Sequence, residues 1–114
     1  MSNLKKSNIK VQVITNENNI PESIKWSAED GGVDNAAAKA MIMSFWDEKE
    51  SNAMRIDLWT KDMSVDEMKK FFHQTLLTMA DTFERATAEK KITDDLRDYC
   101  QHFAEKMNIL PPLS

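Results

Sequence analysis

A change of hydrophobic period within residues 54–83 constrains the fold more than any other feature of the sequence. Met54, Ile56 and Leu58 alternate with other residues, which predicts a strand with one buried face. From residue 65 onward the apolar residues recur at every third or fourth position, which predicts one side of a helix. This helical stripe consists of Val65, Met68, Phe72, Leu76, Met79 and Phe83, and Phe71, Leu77 and Ala80 widen it.

The residues before this stripe predict where the helix begins. Ser64 and Glu67 stand three positions apart, which is the spacing of a capping box, where each side chain bonds the other residue's backbone N–H. Asp66 and Glu67 also place negative charge at the positive end of the helix dipole. We therefore expect the first helix to start directly after Ser64.

The chain before residue 54 alternates as strands do. Strands are predicted over residues 8–15, 23–28, 39–47 and 54–60, and Gly31-Gly32 marks a turn. Residues 33–38 contain an alanine run, which favours a loop or one helical turn. The period of two places six residues on one inner face of a hairpin: Met41, Met43, Phe45, Met54, Ile56 and Leu58.

A second helix is predicted after a polar break at residues 87–91. Thr93 is the expected N-cap, and the predicted apolar stripe consists of Ile92, Leu96, Tyr99, Phe103, Met107 and Leu110, with Pro111-Pro112 as the stop. Together the elements predict an α+β fold: a four-stranded antiparallel sheet, connected as a meander, with two C-terminal helices packed on one face. We expect one domain over residues 1–114, with residues 1–7 disordered.

Composition and charge argue against several classes of function. A net charge of −4 argues against binding to nucleic acid. The sequence lacks a secretory signal and a run of about 18 apolar residues, so we expect a cytoplasmic protein without direct membrane insertion. His73 and His102 lack metal-ligand spacing, and Cys100 is expected to be a buried apolar residue. We therefore expect no metal, no cofactor and no enzymatic activity.

The same alternation predicts an outer hairpin face with exposed aromatic residues. This face contains the candidate contact residues Ile42, Trp46, Arg55, Asp57, Trp59 and Lys61. Exposed apolar groups of this kind mark protein interaction sites. Three interpretations stay open: a protein partner or self-association as a homodimer, coverage by the second helix, and a small hydrophobic ligand. A ligand would bind in a pocket between the sheet and the first helix.

Three runs of the sequence resemble the GldC family of gliding motility proteins from Bacteroidetes. These runs are Trp26–Gly32, Ile56–Met63 and Phe71–Leu76, and the resemblance extends over about residues 7–109. It implies a small protein that assists the motility and secretion machinery of gliding bacteria. The family supplies no catalytic residues to transfer to this chain, so the resemblance indicates a process and not a mechanism.

Overall fold

The computed structural model describes residues 3–109, which form five strands and two helices. The elements are β1 (Ile9–Thr15), β2 (Pro21–Ala28), β3 (Val33–Ala38), β4 (Ala40–Asp47), β5 (Asn52–Trp59), α1 (Val65–Thr87) and α2 (Lys90–Lys106). The α+β class is confirmed. The single four-stranded sheet is wrong, because β1-β2-β3 form one antiparallel sheet and β4-β5 form another. The packing of the helices on a sheet face stays a prediction.

The chain divides into two compact units. The first unit contains all five strands and ends at Met63, and the second begins at Ser64 and contains both helices. In the first unit, β2 is the central strand of the three-stranded sheet. Val13, Ile24 and Ala38 lie side by side across this sheet, and Ile24 is almost completely buried. Trp26, two residues along on the same face, remains partly exposed.

The third strand corrects the predicted loop at residues 33–38. Ala36 lies opposite Trp26 and Ala38 lies opposite Ile24, so small side chains meet large ones across the pair. This pairing outweighs the helix propensity of the alanine run, because strand preference depends on cross-strand neighbours more than on the residue alone. The ladder shifts register between Trp26 and Ala28, where Asn35 adopts φ 53° and its N–H donates to Ser27 Oγ at 2.8 Å.

The β4–β5 hairpin has the predicted side-chain pattern. Met41 lies opposite Leu58, Met43 opposite Ile56 and Phe45 opposite Met54, so the six expected residues share the inner face. Its four-residue connection ends at Ser51, which has φ 51° and donates its N–H to the Asp47 carbonyl.

Two backbone bonds fix the base of this hairpin. The Thr60 N–H donates to the Lys39 carbonyl at 2.7 Å, and the Lys61 N–H donates to the Pro21 carbonyl at 3.2 Å. The end of the hairpin is therefore bonded to the start of β2.

The predicted capping box starts α1. The Ser64 hydroxyl accepts the Glu67 N–H and the Glu67 carboxylate accepts the Ser64 N–H, each at 3.0 Å. Ala88, in the left-handed conformation at φ 58°, ends the helix.

The start of α2 differs from the prediction. The helix begins at Lys90 after Glu89, because the chain reverses within a two-residue connection at 88–89. Thr93 is not the N-cap: it is fully buried inside the helix, and its hydroxyl donates to the Glu89 carbonyl at 2.8 Å. The expected stripe residue Leu110 and the stop at Pro111-Pro112 lie outside the described residues.

The buried positions of the two helices hold small and polar residues, and Ala80 and Phe103 of the predicted stripes lie at the contact between the helices. The buried positions on α1 are His73 and Ala80, and those on α2 are Thr93, Cys100 and Ala104. Ring stacking of His73 on Phe103 and two ion pairs from Arg97 to α1 show that these faces meet. We call these two facing surfaces, which contain the five buried residues, the helix seam. Several stripe residues are exposed instead: Val65, Phe72, Met79, Phe83, Ile92, Leu96 and Tyr99.

Candidate functional site

The candidate site lies on the outer face of the β4–β5 hairpin. Because side chains alternate along each strand, the register assigns to this face Ala40, Ile42, Ser44, Trp46, Ala53, Arg55, Asp57 and Trp59. Five of the six residues predicted for a contact surface therefore share one face. The sixth, Lys61, follows the strand and is described below.

The two tryptophans of the outer face are exposed but lie far apart. The exposed fraction is 72% for Trp46 and 56% for Trp59. Trp46 lies opposite Ala53, six residues from Trp59, so the two indoles are roughly 20 Å apart along the hairpin. Ile42 is diagonal to Trp59, at a spacing of about 7–8 Å that large side chains can bridge. The outer face thus has two separate apolar ends and not one aromatic cluster.

An ion pair lies between these apolar ends. Arg55 Nε is 3.8 Å from Asp57 Oδ2, and both side chains are exposed. Such a pair contributes little to stability, because water screens both charges. It provides instead one positive and one negative group between two hydrophobic anchors, which suits a polar and apolar protein surface better than a purely apolar ligand.

Lys61 belongs to the base of the hairpin. Its Nζ donates to Glu22 Oε1 at 2.9 Å, and this bond holds the pKa of the Glu22 carboxyl below its ordinary value. Next to it, Thr60 is buried and its hydroxyl donates to the Asp62 carboxylate. The structure therefore gives Lys61 a partner within the sheet unit and separates it from the other five predicted residues.

The inner face of the hairpin is the feature that sequence reasoning missed. Phe45, Met54 and Ile56 were expected in the core, yet more than half of each side chain is exposed. Alternation along a strand identifies which residues share a face, but it carries no information about what covers that face. A signal was available in the sequence, because Ile42, Trp46 and Trp59 make the opposite face apolar as well.

His73 on α1 and Cys100 on α2 are two residue types that can act in catalysis, and both are buried. His73 is buried and stacks on Phe103 with ring centroids 6.4 Å apart, as expected for a structural histidine. Cys100 is buried, and desolvation raises the pKa of its thiol, which disfavours the nucleophilic thiolate. Within residues 3–109, no three His, Cys, Asp or Glu side chains are grouped so that they could hold a metal ion.

The helical unit has an open depression between the start of α1 and the end of α2. It encloses about 400 Å³ and is lined by Asp66, Lys69, Lys70, Met107, Asn108 and Ile109. Its charged and open lining differs from the enclosed, mainly apolar lining of small-molecule sites. Neither helix of the described chain combines the length and apolar character needed to cross a bilayer.

The chain has a match among known protein families. A family model described as "Gliding motility-associated protein GldC-like" matches residues 21–109. This range includes both faces of the hairpin, the whole of α1 and α2, and β2 and β3. No curated protein and no solved structure matches the chain.

Proposed function

The chain belongs to the GldC-like family of gliding motility-associated proteins, and from this we propose that it is a non-catalytic cytoplasmic accessory of the motility machinery. It acts by binding a protein component of that machinery through the outer face of the β4–β5 hairpin. The observation that carries this proposal is the exposure of Trp46 and Trp59 on one face of a two-stranded sheet.

The energy available from this face suits a reversible contact. At 72% and 56% exposure, the two indoles present roughly 300 Å² of surface, taking about 250 Å² for each side chain. Burial of that area at about 25 cal/mol per Å² contributes roughly 7–8 kcal/mol before the costs of association. Those costs are themselves about 4–15 kcal/mol, so burial of the two tryptophans exceeds them only in the lower part of that range and then supports a weak complex. Burial of Ile42 and hydrogen bonds to Arg55 and Asp57 supply the rest of the binding free energy.

The spacing of the anchors suggests how a partner binds. A protein segment that lies along the hairpin for about 20 Å reaches both tryptophans and passes over the Arg55–Asp57 ion pair. Interfaces typically combine a few buried aromatic anchors with a polar surround, and this face offers both.

The test is affinity capture from a gliding bacterium with the wild-type chain and with Trp59→Lys. We expect one motility protein to be recovered with the wild type and lost with Trp59→Lys, and the purified pair to bind directly. In a strain without the wild-type gene, Trp59→Lys should fail to restore gliding. Circular dichroism confirms that the variant is folded.

Tyr99→Lys is the matched control. Tyr99 is an aromatic residue of nearly the same exposure as Trp59, 55% against 56%, but it lies on α2. It should keep both binding and gliding. The proposal is wrong if a folded Trp59→Lys protein still binds the same component, or if Tyr99→Lys and Trp59→Lys lose it equally.

A further inference from the structure

The strand β5 has one edge without a partner. One edge pairs with β4, and among residues 3–109 no strand pairs with the other. A hairpin of two strands is only marginally stable by itself, and an open edge with unpaired backbone groups is a template for another strand. The edge is distinct from the outer face, because a partner strand would lie in the plane of the sheet.

The backbone groups on this edge can be assigned from the hairpin register. The Thr60 N–H donates to the Lys39 carbonyl, which continues the β4–β5 register by one residue. Hydrogen-bonded and non-hydrogen-bonded pairs alternate along an antiparallel ladder. The even-numbered residues of β5 therefore bond β4, while Arg55, Asp57 and Trp59, together with Ala53, direct their N–H and C=O groups to the open edge.

The sequence of β5 is complementary to itself when two copies run antiparallel. With Ile56 at the centre, Arg55 lies opposite the partner's Asp57, and Met54 lies opposite the partner's Leu58. Opposite charges meet on the outer face, apolar residues meet on the inner face, and every edge-facing N–H and C=O from residue 53 to 59 finds a partner.

The neighbouring registers are disfavoured by charge. A centre at Arg55 places two arginines directly opposite each other, and a centre at Asp57 places two aspartates opposite each other. Like charges in directly opposed positions destabilise a strand pair. Registers centred between two residues place odd-numbered residues of one strand opposite even-numbered residues of the other. The edge-facing N–H and C=O groups of one strand then have no edge-facing groups opposite them, and outer-face side chains lie opposite inner-face side chains.

We propose that two copies of this chain pair antiparallel through β5, centred on Ile56, and form a four-stranded sheet in the order β4-β5-β5-β4. The arrangement has two-fold symmetry, as most homodimers do. It joins the two inner faces, with six apolar residues from each copy, into one surface. The inference stands without the gliding role and leaves the outer face accessible.

A cysteine cross-link tests the register. Residues in a non-hydrogen-bonded antiparallel pair have Cα atoms about 4.5 Å apart, which a disulfide can span. In a Cys100→Ala background, Ile56→Cys should form an intermolecular disulfide under mild oxidation.

Met54→Cys is the matched control, since Met54 and Ile56 share the inner face and are 53% and 52% exposed. In the proposed dimer the two copies of residue 54 are offset by four residues, about 13 Å, so Met54→Cys should cross-link far more slowly. Equal cross-linking of both variants indicates random collision and overturns the proposal. If neither Ile56→Cys nor Met54→Cys forms a cross-link, the proposal is overturned as well. That result is also the one expected if a different protein, and not a second copy, pairs with this edge.

Charge reversal tests the same register without a new thiol. Arg55→Asp and Asp57→Arg should each raise the dimer dissociation constant at least about tenfold, because each places like charges opposite each other at two symmetric positions. The double variant Arg55→Asp/Asp57→Arg restores opposite charges and should recover dimerisation. Sedimentation equilibrium measures all four proteins. A monomeric wild type at every accessible concentration, or a double variant as weak as the single ones, overturns the proposal.

Discussion

Truncation of Ile24 tests the position of the core in the three-stranded sheet. Ile24 is 2% exposed at the centre of β2, between Val13 and Ala38. Ile24→Ala removes three carbon atoms, worth about 0.8 kcal/mol each in lost burial, or roughly 2.4 kcal/mol. The cavity that remains raises the expected loss of unfolding free energy to about 3–4 kcal/mol. Ile24→Val removes one carbon and should cost about 1 kcal/mol.

Ile9→Ala is the matched control. Ile9 has the same side chain on the same face of the same sheet, but it is 74% exposed. With about a quarter of its surface buried, its truncation should cost roughly 0.6 kcal/mol. Both changes replace a good strand former by alanine, so the difference between them isolates burial.

Urea unfolding followed by tryptophan fluorescence measures these changes. The three tryptophans, Trp26, Trp46 and Trp59, all precede Met63, so the signal reports on the unit that contains the sheet. The reasoning is refuted if Ile9→Ala costs as much as Ile24→Ala, because the core would then not be centred on β2. If Ile24→Ala lowers the free energy of unfolding by less than about 1 kcal/mol, the burial of this side chain is refuted.

Two further predictions concern the cap of α1 and the base of the hairpin. Ser64→Ala should lower the free energy of unfolding by about 1 kcal/mol, because it removes the acceptor for the Glu67 N–H. Ser64→Thr keeps a hydroxyl at this position and should keep most of the stability of the wild type. Thermal unfolding followed by circular dichroism measures both variants. Lys61→Met should raise the pKa of the Glu22 carboxyl towards its ordinary value, as measured by NMR titration, and Lys49→Met should leave that pKa unchanged. Because the bond to Lys61 lowers the pKa of Glu22 in the folded protein, its stabilisation is present above the ordinary carboxyl range and is lost as pH falls through the lowered pKa. The stability difference between wild type and Lys61→Met should therefore disappear in acid.

The strands of the hairpin could be predicted because two rules agreed there. The alternation of Met54, Ile56 and Leu58 indicated the strand, and the polar connection before it indicated a hairpin. The residues that share each face were therefore predicted, although Met54 and Ile56 are exposed and not buried as expected. The third strand could not be predicted in this way. Residues 33–38 favour a helix locally, and they become a strand because Ala36 and Ala38 fit opposite Trp26 and Ile24. That fit depends on residues 10 and 14 positions away in the sequence.

The helices show a different limit of the pattern. Large apolar residues such as Met79 and Tyr99 dominate any stripe drawn from the sequence, yet they are exposed, and the helix seam contains Ala80 and Ala104. Small residues allow two helices to approach closely but contribute little to a hydrophobic pattern. A signal was present in the charges, because Arg97 on α2 pairs with acidic residues on α1.

For the outer face of the hairpin, alternation predicted residues that share the face but not the distances between them. Alternation placed Trp46 and Trp59 on one face, and the structure agrees. Their separation of about 20 Å follows from the hairpin register, which depends on the length of the connection at residues 48–51. The period of two also assigned Lys61 to this face, but β5 ends at Trp59, and the bond of Lys61 to Glu22 depends on a strand 39 residues earlier.

The burial of Cys100 makes its thiol a probe for opening of the helical unit. An alkylating reagent reaches this sulfur only when α2 moves away from α1, and the raised pKa of the thiol keeps it protonated until then. When reclosing is fast, the labelling rate equals the rate for an open thiol multiplied by the fraction of time that the seam is open. With tryptophans in the strand unit and the single thiol in the helical unit, each half of the chain has its own reporter of opening.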